Sequence, residues 1–526
     1  MSAELKAHMR LNKRRTLPNS KEMVINYNRR TPPEVISEHN DPLRIEWTEI
    51  PTPPPEYITG PEALRIPDDS NPRYKLFWPI QHGWCNEKDY KSKRLLFLDI
   101  ALILEGAIKS QLGLSSKKEW LQYSCVFVIP DLYEKTYVTQ ILEMLMKEFG
   151  FARVCFIQES LACSFGAGYT SACIVDIGAQ KTSICCVEEG VCIENSRINL
   201  KYGGADVTET FVKMMLYDHF PYAEINLWKR YDFLLAEELK KNVCTMNEAN
   251  VSVQVFDFHL RVAGQDTYKY SFKAYDEVHL APMGYFKPSI FDNSHKLEGR
   301  QKLLGRSYDI YDGQPNDPVS AAQSDILLEI APLPENDEPR TNGTDVHATP
   351  SRSQIHALSR VQELEATPRS SVAGSPAPEQ LNTPQVTGNG TPAAVQTLHG
   401  PTVVVRDDVL PLFPLDAAII KSIMNAARSD ERKMRDFLGG IMVVGGGSLV
   451  SGFHGFLEER LHNLRPGYAK EIMIGTPPRD LDPQVVGWKG ASVFGKLTGT
   501  NDSWIGQLEY DRLGSRLLAY KCMWVY

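Results

Sequence analysis

Ser171-Ala-Cys-Ile-Val-Asp-Ile-Gly-Ala-Gln-Lys-Thr-Ser-Ile-Cys-Cys-Val187 is the stretch whose reading decides the fold. Two β-rich runs flank the tight turn Ile177-Gly178-Ala179-Gln180, and Asp176 closes the first run. A hairpin of this kind turns backbone N–H groups toward a phosphate, and Gly178 admits close approach of the ligand. A carboxylate at the strand end is placed to hold a hydrated Mg²⁺, a cation that keeps several waters. An ordinary hairpin with an incidental aspartate accounts for the same residues, so the stretch alone leaves both readings open.

Two further segments bear on the choice. Gly439–Phe453 carries a buried-strand run, Ile441–Val444, into Gly445-Gly446-Gly447-Ser448 and then a helical pattern from Phe453. Strand, glycine turn and helix form a general nucleotide-binding arrangement. The segment has neither the G-x-G-x-x-G of dinucleotide folds nor the G-K-[ST] of a Walker loop. Lys201-Tyr202-Gly203-Gly204-Ala205-Asp206 precedes a helical run at Val207–Leu216, with Thr208 or Asp206 as its cap. A capped helix start explains that segment equally well.

Around these segments the composition divides the chain. Residues 1–73 are rich in proline and charge, as in Pro51-Thr-Pro-Pro-Pro55, and read as extended chain anchored by Trp47, Tyr57 and Ile58. From about Lys75 to Ser294, strand-like runs (Val126–Pro130, Val154–Ile157) alternate with helical spacing (Val138–Phe149), which points to an α/β layer. Between Tyr311 and Phe413 there is no aromatic residue, and Ser, Thr, Pro, Gly and Asn dominate. Such composition buries too little apolar surface to offset ordering entropy. Residues from about 313 to 405 are therefore read as a disordered insertion that interrupts a domain. Thr349, Thr367, Ser375, Thr383 and Thr391 each precede a proline there and suit proline-directed phosphorylation.

The net charge of −8 excludes a polycation that coats nucleic acid. Arg10–Arg15 (RLNKRR) is a local basic run that suits nuclear import, DNA contact or a solvated terminus. The ten cysteines include no C-x-x-C pair and read as small buried apolar residues in a reducing compartment. The longest apolar run, Leu95–Ile108, is broken by Asp99 and Glu105, so neither a membrane span nor a signal peptide is expected. These features predict an intracellular, soluble protein.

Taken in order and spacing, the three segments resemble the actin fold, and more of the chain follows. Phe127–Gly168 is similar to the actin segment that crosses between lobes, and Trp504–Cys522 to the actin C-terminus. The resemblance covers residues 75–295 and 410–526 and implies an α/β, two-lobed ATPase fold of the actin and Hsp70 kind. Val175–Val187, Glu159-Ser160 after Gln158, Asp482-Pro483 before Trp488-Lys489-Gly490, and the early HNDPLRIEWTE and YITGPEALRIP runs resemble the nuclear actin-related protein 8 family. The implied segmentation is 1–74 as an extended segment with a small second subdomain. Residues 75–166 with 487–526 form the first subdomain, and 167–206 with 276–296 and 410–486 the third. The fourth is 207–275, and 297–409 is the disordered insertion.

The resemblance implies a site for ATP or ADP, with or without Mg²⁺. It would be made by Asp176, Ile177, Gly178, Ala179, Gln180, Lys181, Gly203, Gly204, Lys240, Gly445, Gly446, Gly447 and Ser448. Asp176 would act on the metal through water, and Gln158 stands where actin orients its attacking water. Other positions depart from the pattern. Ala179 replaces the second acidic residue of the hairpin, Gln180 the following glycine, Lys241 a ribose-binding carboxylate, Val450 a stacking aromatic and Gln484 a lysine. Actin's first phosphate hairpin has no counterpart before Trp78, so two strands of the first lobe are expected to be absent and one side of the phosphate site open. Either a shortened chain or a lobe built without those strands accounts for this.

The implied role is a weakly catalytic or non-catalytic subunit of an INO-eighty-class remodeller, with functions in transcription regulation and DNA repair. Its implied partners are nuclear actin, another actin-related protein, a helix of the motor ATPase, and DNA and histones, with no membrane. An ATP-hydrolysing, filament-forming actin is the rival. The altered cleft and the long insertion argue against it.

Overall fold

The architecture described here is that of a computed structural model, which describes residues 2–11, 19–309, 311, 313–332, 409–478, 480–524 and 526. The β-rich runs of the opening stretch form strands Ala172–Ile177 and Thr182–Glu188, paired antiparallel with Ile177 opposite Thr182. Both are almost wholly buried, as continuous Val, Ile and Cys runs require. Strand Ile441–Val444 joins the other edge of Ala172–Ile177 in parallel, with Val444 opposite Asp176. Strands Ile474–Gly475, Val191–Cys192 and Ile198–Leu200 complete a six-stranded sheet. Helices Gly204–Tyr217, Leu415–Ala427 and Phe453–Leu464 send Phe211, Ile419, Ile423, Phe453 and Leu457 into one apolar core with it.

A smaller body surrounds the parallel pair Ser124–Ile129 and Arg153–Gln158, with Ile505–Gly506 antiparallel on the far edge. Its core stacks Trp120 against Phe149 and Phe151, with ring centroids 5.2 and 5.9 Å away. Helices Glu159–Ala167 and Val486–Phe494 connect the two bodies through a shared cluster that includes Ile157, Leu161, Ile174 and Phe494. They cross so closely that a Cβ on Gly490 would lie 1.7 Å from the Ala162 carbonyl oxygen. Only glycine permits that crossing.

Two expectations are corrected. The N-terminal segment is not simply extended: helices Ser2–Leu11 and Ser20–Asn28 precede strand Glu34–Ile36. That strand pairs with Thr267–Ala274, itself paired with Gln254–Leu260, while Leu5, Met9 and Val24 pack on Val251 and Tyr275. Three apolar contacts, two from the first helix and one from the second, help to dock this segment even beside proline-rich chain. Beyond Asn40 the segment does run largely without regular structure, and Trp47 contacts the Tyr231 ring at 5.6 Å. Tyr57, expected as a second anchor, is exposed.

Residues 297–309 and 313–332 also belong to the described fold. Leu304 enters the smaller core, and helix Ala321–Ile330 buries Ala322, Ile326 and Leu327. Aliphatic residues at helical spacing make that core contact without any aromatic. The rest of the expected insertion, 333–408 with its five Ser/Thr-Pro positions, lies outside the described residues, as does most of Arg10–Arg15. All ten cysteines are free thiols and eight are buried. No described helix is long and apolar enough to cross a membrane.

Candidate functional site

The three glycine-bearing segments converge at the ends of the central strands. Because Val444 stands opposite Asp176, Gly445 falls beside the start of the hairpin turn. Gly445 has φ +86°, and a Cβ there would lie 2.4 Å from both Asp176 Oδ1 and the Ile177 carbonyl oxygen. Glycine is therefore required twice over, for its backbone and for its lack of bulk. Gly445 N–H donates to the Pro483 carbonyl at 3.0 Å, Ser448 Oγ–H to the Gly445 carbonyl at 2.7 Å, and Tyr285 O–H to the Gly447 carbonyl at 3.2 Å. Gln484 closes over Gly446, while Val450 packs against the core.

The third segment docks onto the hairpin. Gly204 N–H donates to the Gly178 carbonyl at 2.9 Å and Ala205 N–H to the Ala179 carbonyl at 2.6 Å. Two donors of the helix start are thus spent on the turn. Asp206 caps the helix through the Gly203 N–H at 2.8 Å and pairs with the buried Lys296 ammonium at 2.5 Å. Lys240 reaches the Gly204 carbonyl at 2.9 Å and the Glu237 carboxylate at 2.8 Å. Lys241 next to it faces solvent.

The hairpin turn itself is held from the smaller body. Lys181 Nζ donates to Glu159 Oε1 at 2.6 Å and Oε2 at 2.5 Å, and Ser183 Oγ–H to Oε1 at 2.6 Å. Burial alone would lower the Lys181 pKa, and the Glu159 carboxylate overrides it and keeps the ammonium charged. Burial, and then Glu159, push Asp176 up to about 6. The same two causes raise Asp131, which accepts from the Ser160 hydroxyl and its N–H, the latter at 3.1 Å. Gln158 is buried, with its amide against the Asp131 carbonyl at 3.5 Å.

The side expected to stand open is partly covered. A short hairpin, Ile80–Gln81 paired with Trp84–Cys85, brings His82 N–H to Gln180 Oε1 at 2.9 Å. Gly83 abuts the Lys181 side chain, and Lys201 Nζ donates to the Gly83 carbonyl at 3.0 Å. The small body's sheet has three strands among the described residues.

The geometry thus brings Asp176–Lys181, Gly203, Gly204, Lys240 and Gly445–Ser448 into one cradle, while the Gln158 amide is turned to the Asp131 carbonyl. Sequence reading missed Glu159 as the partner of Lys181, and it missed Asp131 and Lys296 altogether. For a divalent ion the cradle offers the half-buried Asp176. The two clusters of three ligand-type side chains among the described residues, Asp131–Cys185–Cys192 and Glu209–Asp292–His295, do not include it.

Comparison with known proteins supplies a family. The actin family model matches residues 71–328 and 334–523. The probable actin-related protein 8 of Schizosaccharomyces pombe is 38% identical over 99% of this chain and 74% of its own length. Actin-related protein 8 of Danio rerio is 32% identical, over 97% of this chain and 80% of its own. The solved structure of human actin-related protein Arp8 in its ATP-bound state superposes with a TM-score of 0.70 at 27% identity, covering 98% of this chain and 82% of that one.

Proposed function

Because the chain belongs to the actin family, and within it to the actin-related protein 8 group, we propose that it is a nuclear, nucleotide-holding subunit of a chromatin-remodelling assembly that works through protein and chromatin contacts. The observation that carries this reading is the pairing of an intact glycine cradle with a neutralised turn. Gly178 and Gly445–Ser448 allow close backbone approach, Lys240 and Gln484 flank the loop, and Asp176 stands ready for a hydrated cation. Bound ATP with its Mg²⁺ would supply the charge that joins hairpin to loop. The solved relative is described in an ATP-bound state.

The groups that would drive hydrolysis are compromised. Ala179 offers no carboxylate, Gln158 is buried against Asp131, and Lys181 is committed to Glu159. Each positioned charged group contributes roughly 3 kcal/mol to such a reaction, so their loss slows it by orders of magnitude. The protein therefore holds nucleotide as a structural ligand. Its partners in this reading are nuclear actin, a second actin-related protein, a helix of the remodeller's motor subunit, and DNA or histones reached through the complex.

The test has two arms. Nucleotide extracted from the purified protein should be close to stoichiometric, with turnover far below about 1 s⁻¹. Tagged protein should also co-purify with actin and a large remodelling ATPase. Turnover at that rate or faster, or recovery of filaments free of the ATPase, defeats the reading.

A further inference from the structure

A second cavity, of about 280 Å³, opens next to the nucleotide cradle and is separate from it. The hairpin residues Gly83 and Trp84 form the wall between them: Gly83 touches Lys181 on the cradle side, and both residues line the cavity. The other walls come from the chain after Ile129, from Asn199 and Lys201, and from the ordered lead-in that includes Arg300.

Lys201 is the unusual group in this cavity. Its side chain is buried, and its ammonium donates to the Gly83 carbonyl at 3.0 Å and lies 4.5 Å from the Trp84 ring centroid. Among the described residues it makes no ion pair. Burial, then the nearby Lys181 and Arg300 cations, push its pKa down to about 7. Arg300 stacks 4.1 Å from the same indole and spends its Nε–H on Glu87 at 2.8 Å. Asn199 Oδ1 is buried and lacks a hydrogen-bond partner among the described residues. Turned end for end, that amide presents two N–H donors. Two acidic residues, Glu134 and Asp317, also line the cavity, and Glu134 with the nearby Glu159 partly offsets the Lys201 charge. Asp317 accepts from the Lys135 N–H at 3.0 Å and the Ser307 N–H at 3.3 Å.

A buried ammonium without a direct ion pair is costly unless a counter-charge meets it, and burial with Lys181 and Arg300 outweighs Glu134 and Glu159 here. We propose that this cavity is a second anion site, which takes a small ligand with one or two phosphate groups between Lys201, Arg300 and the Asn199 amide. Arginine and lysine together favour phosphate oxygens, the first through its planar fork and the second as a point charge. The volume exceeds that of one phosphate and accommodates a diphosphate. Occupancy of the nucleotide cradle is not required for this site.

Isothermal titration of the full chain with inorganic phosphate and with diphosphate tests the proposal, with the cradle either saturated with ATP or stripped of nucleotide. With the cradle saturated with ATP, one anion per chain is expected, and its Kd should persist for one of the sites seen in the stripped protein. Lys201→Met should weaken binding at least about tenfold, the value of one charge-assisted contact. Asn199→Asp, which adds a like charge facing the ligand, should abolish it. One-for-one displacement by ATP would assign the anion to the nucleotide cradle and overturn the proposal. Unchanged affinity in a folded Lys201→Met protein would do the same, as would no binding at millimolar anion.

Discussion

The Lys181 ammonium sits between the two carboxylate oxygens of Glu159, 2.6 Å from one and 2.5 Å from the other. One residue comes from the hairpin turn and the other from the first turn of helix Glu159–Ala167, so the pair links the two bodies across the cradle floor. Asp131 and Asp176 both feel Glu159, and Lys181 is the cation that offsets all three. Lys181→Met should therefore destabilise the protein by about 3–5 kcal/mol at pH 7.5, the usual cost of leaving buried charge uncompensated. Carboxyls whose folded pKa is raised take up protons on folding, so their cost grows as pH rises through that pKa. The variant should lose less stability at pH 5.5 than at 7.5, as read by urea unfolding. An equal loss at both pH values would show that the pair carries no such load.

Gly445→Ala places a methyl 2.4 Å from Asp176 Oδ1 at a φ of +86°. The strain is about 1–3 kcal/mol, and its relief moves Asp176 or the loop away from its partner. Fluorescent ATP analogue binding should weaken at least tenfold while the circular dichroism spectrum stays native. Unaltered affinity would mean that this loop does not hold the nucleotide.

Lys21 carries the docking of the N-terminal helix. It contacts Asp218 at 2.5 Å, Asp276 at 2.7 Å and Glu277 at 3.1 Å, and all three carboxylates are buried. Lys21→Met should cost about 3 kcal/mol. Hydrogen exchange should accelerate in residues 20–36 and in strand Thr267–Ala274, which pairs with Glu34–Ile36. Exchange that quickens evenly over the whole chain would contradict a local clasp.

Lys201→Met separates ligand binding from stability. The wild-type side chain has a folded pKa lowered to about 7, so the unfolded chain binds more protons above that pH. Wild-type stability should climb as pH rises from 7 toward about 10, the unfolded lysine value. The variant should lack that climb and be more stable by about 1–3 kcal/mol at pH 7 without added anion. Parallel pH curves for the two proteins would show that the ammonium is not strained.

The glycine loops were readable from sequence because their demands are local: a positive φ at Gly445 or a two-strand turn at Gly178 leaves its mark within a few residues. The pairing of Glu159 with Lys181 was not, since no spacing rule joins a helix start to a hairpin turn. The N-terminal helices were hidden by composition. Leu5, Met9 and Val24 are sparse apolar marks among charge and proline, yet each is buried. Helix Ala321–Ile330 was lost for a related reason, because it adjoins a long polar stretch that dominates any averaged window.

The parallel pairing of Ala172–Ile177 with Ile441–Val444 also sets a timetable. During translation the first strand is made before residues 178–440, and its neighbour follows only after them. At roughly 5–20 residues per second that delay lasts tens of seconds. For most of it, one edge of a strand rich in Cys, Ile and Val stands bare, which is the condition that invites pairing with other chains. The nascent protein thus has a defined vulnerable surface and a fixed interval of exposure. A chaperone that shields residues 172–177 until Val444 arrives would set its yield in the cell.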